Sequence, residues 1–208
     1  MTSKNADETR EATMADAMAS VDADGIDQLT GLPSFASFRL KAQAVLDQAV
    51  ADGCTASIAY FNIENMKLYN KRFGLAAGDD LLAQTARIIQ STFDQALVSR
   101  VGDDRFVLLT LGDDLADRIA QVHQAMLNYN EALRTVVRAG IYVHDGVASI
   151  SLACDRAKMA CDYIKGRYDL FCYQYDEELF KSIDRRQWVL SNFETAMSQG
   201  HIQVHYRS

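Results

Sequence analysis

Two pairs of polar residues stand where apolar runs end. Asn62 and Glu64 lie two positions apart at the end of the run Ala56–Ile63. Asp103 and Asp104 sit in the turn Gly102-Asp103-Asp104-Arg105, between the runs Ala96–Arg100 and Phe106–Leu111. Strand alternation puts Asn62 and Glu64 on one face, and a short Gly/Asp turn between two apolar runs predicts a hairpin. If the first strand lies beside that hairpin, the two pairs meet. Converging carboxylates suit Mg²⁺, which takes one or two of them and leaves coordination positions for phosphate oxygens. Gly-Asp-Asp is also ordinary turn chemistry, and by spacing alone that is the simpler reading.

The elements that must position these residues follow from periodicity and punctuation. Residues 1–26 read as a mobile leader or linker helix with no sustained apolar stripe. Pro33 follows a compact Leu29-Thr30-Gly31-Leu32 turn, and Ser34 caps a helix running to about Ala51, with Gly53 past its end. Phe35, Phe38, Ala42, Val45, Leu46 and Ala49 give that helix an apolar face. The strand Ala56–Ile63 follows, then a short helix Asn65–Phe73 that stops at Gly74, and a longer one over Asp79–Phe93. After the hairpin come a helix Leu115–Leu133, a strand Val136–Val143, a helix from Ser149 or Ser151 to Gly166, and a strand Leu170–Tyr175. This order predicts an α+β fold with a ferredoxin-like split βαβ sheet flanked by helices. A Rossmann-type sheet is disfavoured by the central hairpin and by the lack of GxGxxG after the first strand. Beyond Asp176, a long helix over Glu177–Met197 and the strand-like His201–Tyr206 read as the first piece of another domain.

Composition narrows the functional classes. With 208 residues, 49% hydrophobic and 24% charged, the chain supports one sizeable core. Its net charge of −7 lacks the electrostatic footprint of a nucleic-acid binder, so a nucleotide would need a local cluster of cations. No apolar run approaches the ~20 residues of a membrane span, and the N-terminus has no apolar signal core. The expectation is a cytoplasmic protein. Cys54, Cys154, Cys161 and Cys172 form no CxxC pair and are expected to behave as small hydrophobes.

Several separate segments then agree on one family. Asp27–Leu32, Phe61-Asn62-Ile63-Glu64-Asn65-Met66-Lys67-Leu68-Tyr69-Asn70, Phe73-Gly74 through Ala77-Gly78-Asp79, and Arg100–Phe106 resemble, in order and spacing, the GGDEF family. These are diguanylate cyclase domains, which make cyclic di-GMP from two GTP. The segment Arg185–Tyr206 resembles the opening helix and strand of an EAL phosphodiesterase domain, the usual neighbour of GGDEF. The resemblance implies a leader over 1–26, a GGDEF domain over 27–176, and a linker helix plus first EAL strand over 177–208.

Position by position, Asn70 and Asp79 match the family's guanine-binding pair and Lys67 a lysine near the phosphates. Gly102 keeps the first glycine of the signature, and Asp104 matches its metal-binding acidic position. Asn62 stands where the family has its first metal aspartate; an amide oxygen brings no charge, so Mg²⁺ or Mn²⁺ is expected to bind weakly, with Glu64 a partial substitute. Asp103 replaces the second glycine, and Arg105 replaces the fourth, acidic residue with a cation. Lys165 and Arg167, flanking Gly166, are placed as phosphate contacts. The inhibitory RxxD is replaced by Phe93-Asp94-Gln95-Ala96, so feedback binding of cyclic di-GMP there is not expected. The implied function is a degenerate GGDEF domain that binds GTP and regulates an attached EAL domain, with little or no cyclase activity. Two alternatives stand beside it: a weakly active cyclase, which requires a homodimer with facing sites, and a structural or dimerisation domain that binds no nucleotide.

Overall fold

A computed structural model of the chain describes residues 25–129, 135–167 and 169–199. Helix α1 (Phe35–Asp52) starts where Ser34, in extended backbone, accepts a hydrogen bond from the Ser37 amide at 3.3 Å, and it closes at Gly53. It buries Phe38, Ala42, Val45, Leu46 and Ala49, the stripe expected from its spacing. Strand β1 (Ala56–Ile63) is almost wholly buried, which requires helices on both of its faces. Next come α2 (Met66–Phe73), α3 (Leu75–Thr92), the hairpin β2 (Leu97–Gly102) and β3 (Arg105–Leu111), and α4 (Leu115–Tyr129). Strand β4 (Val137–Val143), α5 (Ile150–Tyr163) and β5 (Cys172–Gln174) complete this part.

The sheet order is β2-β3-β1-β4-β5. Strand β1 is antiparallel to both β3 and β4, and β5 is added parallel to β4. The expected ferredoxin-like split βαβ arrangement is thus present, extended by one edge strand. On one face, Ala59, Phe61 and Ile63 of β1 join Phe106, Leu108, Ala139 and Ile141. Leu81, Leu82, Ile89, Ile119, Val122 and Met126 from α3 and α4 pack against them. The opposite face is covered by α1 and α5. Helix α5 crosses β4 so closely at Gly140 that a Cβ there would overlap the Ala157 carbonyl and the Cys161 amide and lie 2.9 Å from the Ala160 carbonyl carbon.

Three boundaries differ from the sequence expectation. Helix α3 begins at Leu75 rather than Asp79, because Gly74 (φ +89°) alone breaks the chain and Leu75-Ala76-Ala77 are good helix formers. Helix α5 ends at Tyr163, and the chain turns through Gly166 (φ +78°), so Lys165 and Arg167 sit on a loop. Strand β5 is three residues long. The leader, the expected end of the fourth helix beyond Tyr129, and the strand expected over His201–Tyr206 lie outside the described residues.

The chain divides after Gln174 into two compact units. Helix α6 (Glu177–Ser198) belongs to the second, and the Asp176 carboxylate caps it by accepting from the Leu179 amide at 2.6 Å. Among the described residues no helix is long and apolar enough to cross a membrane. The four cysteines are unpaired, and burial pushes the Cys154 and Cys161 thiols up to about 12, as expected of core thiols.

Asp145 organises the approach to α5. Its carboxylate accepts from the Ala148 and Val147 amides at 2.9 and 3.0 Å and pairs with Arg156 at 2.8 Å. Those amide hydrogen bonds, helped by Tyr142 and Arg156, outweigh burial and hold the carboxyl far below the usual range. A carboxyl depressed in the folded state contributes stability that is complete above the unfolded value near ~3.9, and is lost as pH falls through the folded value. The thermal midpoint is therefore expected to hold between about pH 7 and pH 5 and to fall below about pH 4. Asp145→Asn should lower the midpoint at neutral pH and flatten the acid fall, both readable in thermal melts.

Candidate functional site

The antiparallel register sets Asn62 opposite Arg105 and Phe61 opposite Phe106. The Ile63 amide then donates to the Asp104 carbonyl at 3.0 Å. Asn62 and the hairpin tip therefore meet at one end of the sheet, as the spacing anticipated. The tip is held by Arg100, whose Nε and Nη2 donate to the Asp103 carbonyl at 3.1 and 2.7 Å. Nη1 of Arg100 pairs with Asp27 at 3.2 Å, and Asp27 also accepts from the Thr30 amide and hydroxyl. Burial opposes ionisation of Asp27, but the Thr30 and Arg100 hydrogen bonds prevail and keep its carboxyl below the ordinary value. The Asp27–Leu32 segment is thereby fastened to the hairpin.

Glu64 does not join Asp104. Its backbone amide bonds to the Val136 carbonyl, which steers the chain beyond β1 toward β4. There the Glu64 carboxylate meets Arg138 Nε at 2.6 Å, with side chains 12% and 3% exposed, and also accepts from the Gly166 amide at 3.4 Å. Arg138 donates in addition to the Leu170 carbonyl. The expected partial substitute for a metal ligand is therefore a partner in a buried ion pair.

A cleft of about 630 Å³ opens between the hairpin tip, α2–α3 and the end of α5, within the range of small-molecule sites. Asn62, Lys67, Asn70, Asp79, Asp103, Asp104, Arg105 and Lys165 line it, so eight of the positions singled out in the sequence come together. Gly102 ends β2 next to the cleft, where the hairpin register is irregular. Arg167 lies elsewhere, with its guanidinium 4.9 Å from the Tyr163 ring centroid. Met66 and Leu82 supply apolar wall, while Arg100, Lys158 and Asp162 complete the lining. Lys158 and Asp162 escaped sequence reasoning; their one signal was the four-residue spacing of opposite charges on a helix.

Asn70 has the most telling environment. Its Oδ1 is buried and has no hydrogen-bond partner, a costly state for an amide oxygen. Gly78 makes room for it: a Cβ there would overlap Oδ1 and lie 2.9 Å from Cγ of Asn70. At the other end, Asp103 adopts the left-handed region (φ +48°) and exposes its carboxylate, a conformation that favours glycine.

The residues present fit a divalent cation poorly. The donors at Asn62 and Asp104 amount to one carboxylate and one neutral amide. Arg105 Nε lies 3.7 Å from Asp104 Oδ1 and its Nη2 lies 3.9 Å from Asp103 Oδ2. A dication ~4 Å from that guanidinium would meet repulsion of about 8 kcal/mol at an effective dielectric of ~20, offsetting about half of the attraction of one carboxylate at a ligand distance of ~2.1 Å. Among the described residues no group of three or more His, Cys, Asp or Glu side chains is placed to hold a metal ion.

Comparison with known proteins agrees with this architecture. The family "Diguanylate cyclase, GGDEF domain" matches residues 25–165, more than half of the chain. An uncharacterised signalling protein of Caulobacter vibrioides is 26% identical over 199 residues, covering 87% of this chain and 24% of that protein. The cyclic di-GMP phosphodiesterase PdeB of Shewanella oneidensis is 28% identical over 199 residues, covering 87% of this chain and 22% of its own length. The chain thus spans about a quarter of the length of these curated relatives. Among solved structures, the GGDEF domain of DgcB from Caulobacter crescentus, in complex with c-di-GMP, superposes with a TM-score of 0.67 at 18% identity. That alignment covers 74% of this chain and 97% of the other, and it speaks for the fold. From its matched segment, its sheet order and its hairpin, this chain belongs to the GGDEF family of cyclic di-GMP signalling domains.

Proposed function

We propose that the chain is a degenerate GGDEF domain that binds GTP and has little or no cyclase activity. The observation that carries this reading is the meeting of Asn70 and Asp79 with Lys67 and Lys165 in one cleft of nucleotide size. The Asn70 amide can meet guanine's acceptor edge, while the Asp79 carboxylate accepts from its N1–H and amino group, a pattern that adenine does not present. A site built to pair such donors discriminates strongly against a base that lacks them. Lys67 and Lys165 are cations for the phosphates. Phosphoryl transfer, by contrast, depends on neutralising and aligning the triphosphate. Asn62, Asp103 and Arg105 each work against the metal-dependent form of that chemistry, so Mg²⁺ or Mn²⁺ binds weakly and adds little.

The residues 27–176 then form a regulatory module, and 177–208 lead into an EAL phosphodiesterase that the nucleotide state controls in the cytoplasm. Relatives named as a phosphodiesterase and as a bifunctional cyclase/phosphodiesterase, each similar over 87% of this chain, support that arrangement. Binding needs no homodimer, whereas cyclisation would. Long incubation of concentrated protein with GTP and Mg²⁺ or Mn²⁺ is expected to yield no cyclic di-GMP by chromatography. Product that accumulates and is abolished by Asp104→Ala would establish the weak-cyclase reading instead.

Gly78→Ala tests the guanine contact without removing a functional group. The new methyl must displace the Asn70 amide, a movable side chain, so the melting temperature should change little. GTP affinity is expected to fall about tenfold or more in calorimetry. Unchanged affinity would place the base elsewhere.

A further inference from the structure

The disagreement between the cleft and a divalent ion has a positive side, which rests on the GTP-binding reading. We infer that Arg105, supported by Lys158, supplies the positive charge that the phosphates require, so the cleft takes a guanine nucleotide without a divalent metal.

Arg105 stands directly across from Asn62 in the sheet register, with a side chain 42% exposed and both hairpin carboxylates within 4 Å. Its contacts to those carboxylates, at 3.7 and 3.9 Å, exceed hydrogen-bond length. They orient the guanidinium without consuming its N–H groups. The hydroxyl of Tyr60, a residue 4% exposed, is a further hydrogen-bond partner of the guanidinium. The planar fork that remains matches phosphate oxygens two at a time.

Lys158 approaches from α5. It is 42% exposed and pairs with Asp162 at 2.6 Å, four residues on along the same helix. Such exposed pairs contribute little, and the ammonium carries two further N–H donors for an anion. The cleft thus holds a guanidinium where the family's signature would hold an acid, with the Lys158 ammonium also in its lining. The anion contacts of a polyphosphate can be met by side chains already in place. The Tyr60 hydroxyl, itself raised above its ordinary value chiefly by burial, stays neutral at physiological pH and adds no competing charge.

The test is calorimetry of the 208-residue chain with GTP, once in Mg²⁺ and once in EDTA. The wild type is expected to bind with dissociation constants that agree within about threefold between the two conditions. Arg105→Ala should weaken the EDTA titration by about tenfold or more, and Arg105→Glu, which restores an acid, should bind GTP only with Mg²⁺. Arg105 is substantially exposed, so both variants should fold, as melting will check. If wild-type binding is lost in EDTA but present in Mg²⁺, or if Arg105→Ala binds as well as wild type in EDTA, the inference is overturned and the GTP reading stands. If GTP binds in neither condition, the GTP reading fails and takes the inference with it.

Discussion

Arg138→Ala is expected to destabilise the domain by about 3–5 kcal/mol, the usual cost of removing one partner from a buried ion pair. The Glu64 carboxylate would remain at 12% exposure without its guanidinium, with only the Gly166 amide at 3.4 Å to help it. The Leu170 carbonyl would also lose its donor. For a domain of this size the melting temperature should fall by roughly 6–20 °C. The pair ties β4 and the end of β1 to the turn that carries Lys165, so nucleotide affinity should fall with it. Arg138→Met combined with Glu64→Leu should recover much of the lost stability, because no charge is then left buried. A single variant that melts like the wild type would show that the pair is solvated and peripheral.

Gly140→Ala is expected to cost about 3 kcal/mol or more. The added methyl would overlap the Ala157 carbonyl and the Cys161 amide, which are backbone atoms of α5. A flexible side chain could rotate away, but a helix backbone can only move as a unit. Shifting α5 off the sheet also carries Lys158 and Asp162, which lie one position beyond the two clashing residues. The variant should therefore melt roughly 6–12 °C lower and bind GTP more weakly in whatever fraction folds. A melting temperature within about 2 °C of the wild type would contradict the close crossing.

The elements that were legible are those with a strong local signal. The period of β1, the Gly/Asp turn of the hairpin and the Ser34 and Ser149 caps all lie within a few residues of what they specify. The sheet topology followed from the order of elements once the hairpin was recognised. The misjudged start of α3 arose because Asp79 has the chemistry of a helix N-terminus, while the real break is the backbone of Gly74.

The site was legible only where identity mattered more than environment. Asn62, Asn70, Asp79 and Asp104 were nominated by type and position, and they line one cleft. Glu64 pairs with Arg138, which lies 74 residues along the chain, and no local pattern announces such a pairing. Lys158 and Asp162 carry no signal in the sequence beyond the four-residue spacing of opposite charges on a helix. The packing of α5 on the sheet sets that pair in the lining of the cleft. Arg167 was drawn in because it flanks Gly166, whereas stacking on Tyr163 takes it elsewhere.

The central claim is that Asn70 and Asp79 select guanine in this cleft. Its most direct test is calorimetric titration of the chain with GTP and with ATP, repeated on Asn70→Ala. The account predicts saturable GTP binding, ATP weaker by about tenfold or more, and a collapse of that difference in Asn70→Ala. No heat with GTP up to millimolar concentration, or equal binding of the two nucleotides, would contradict it.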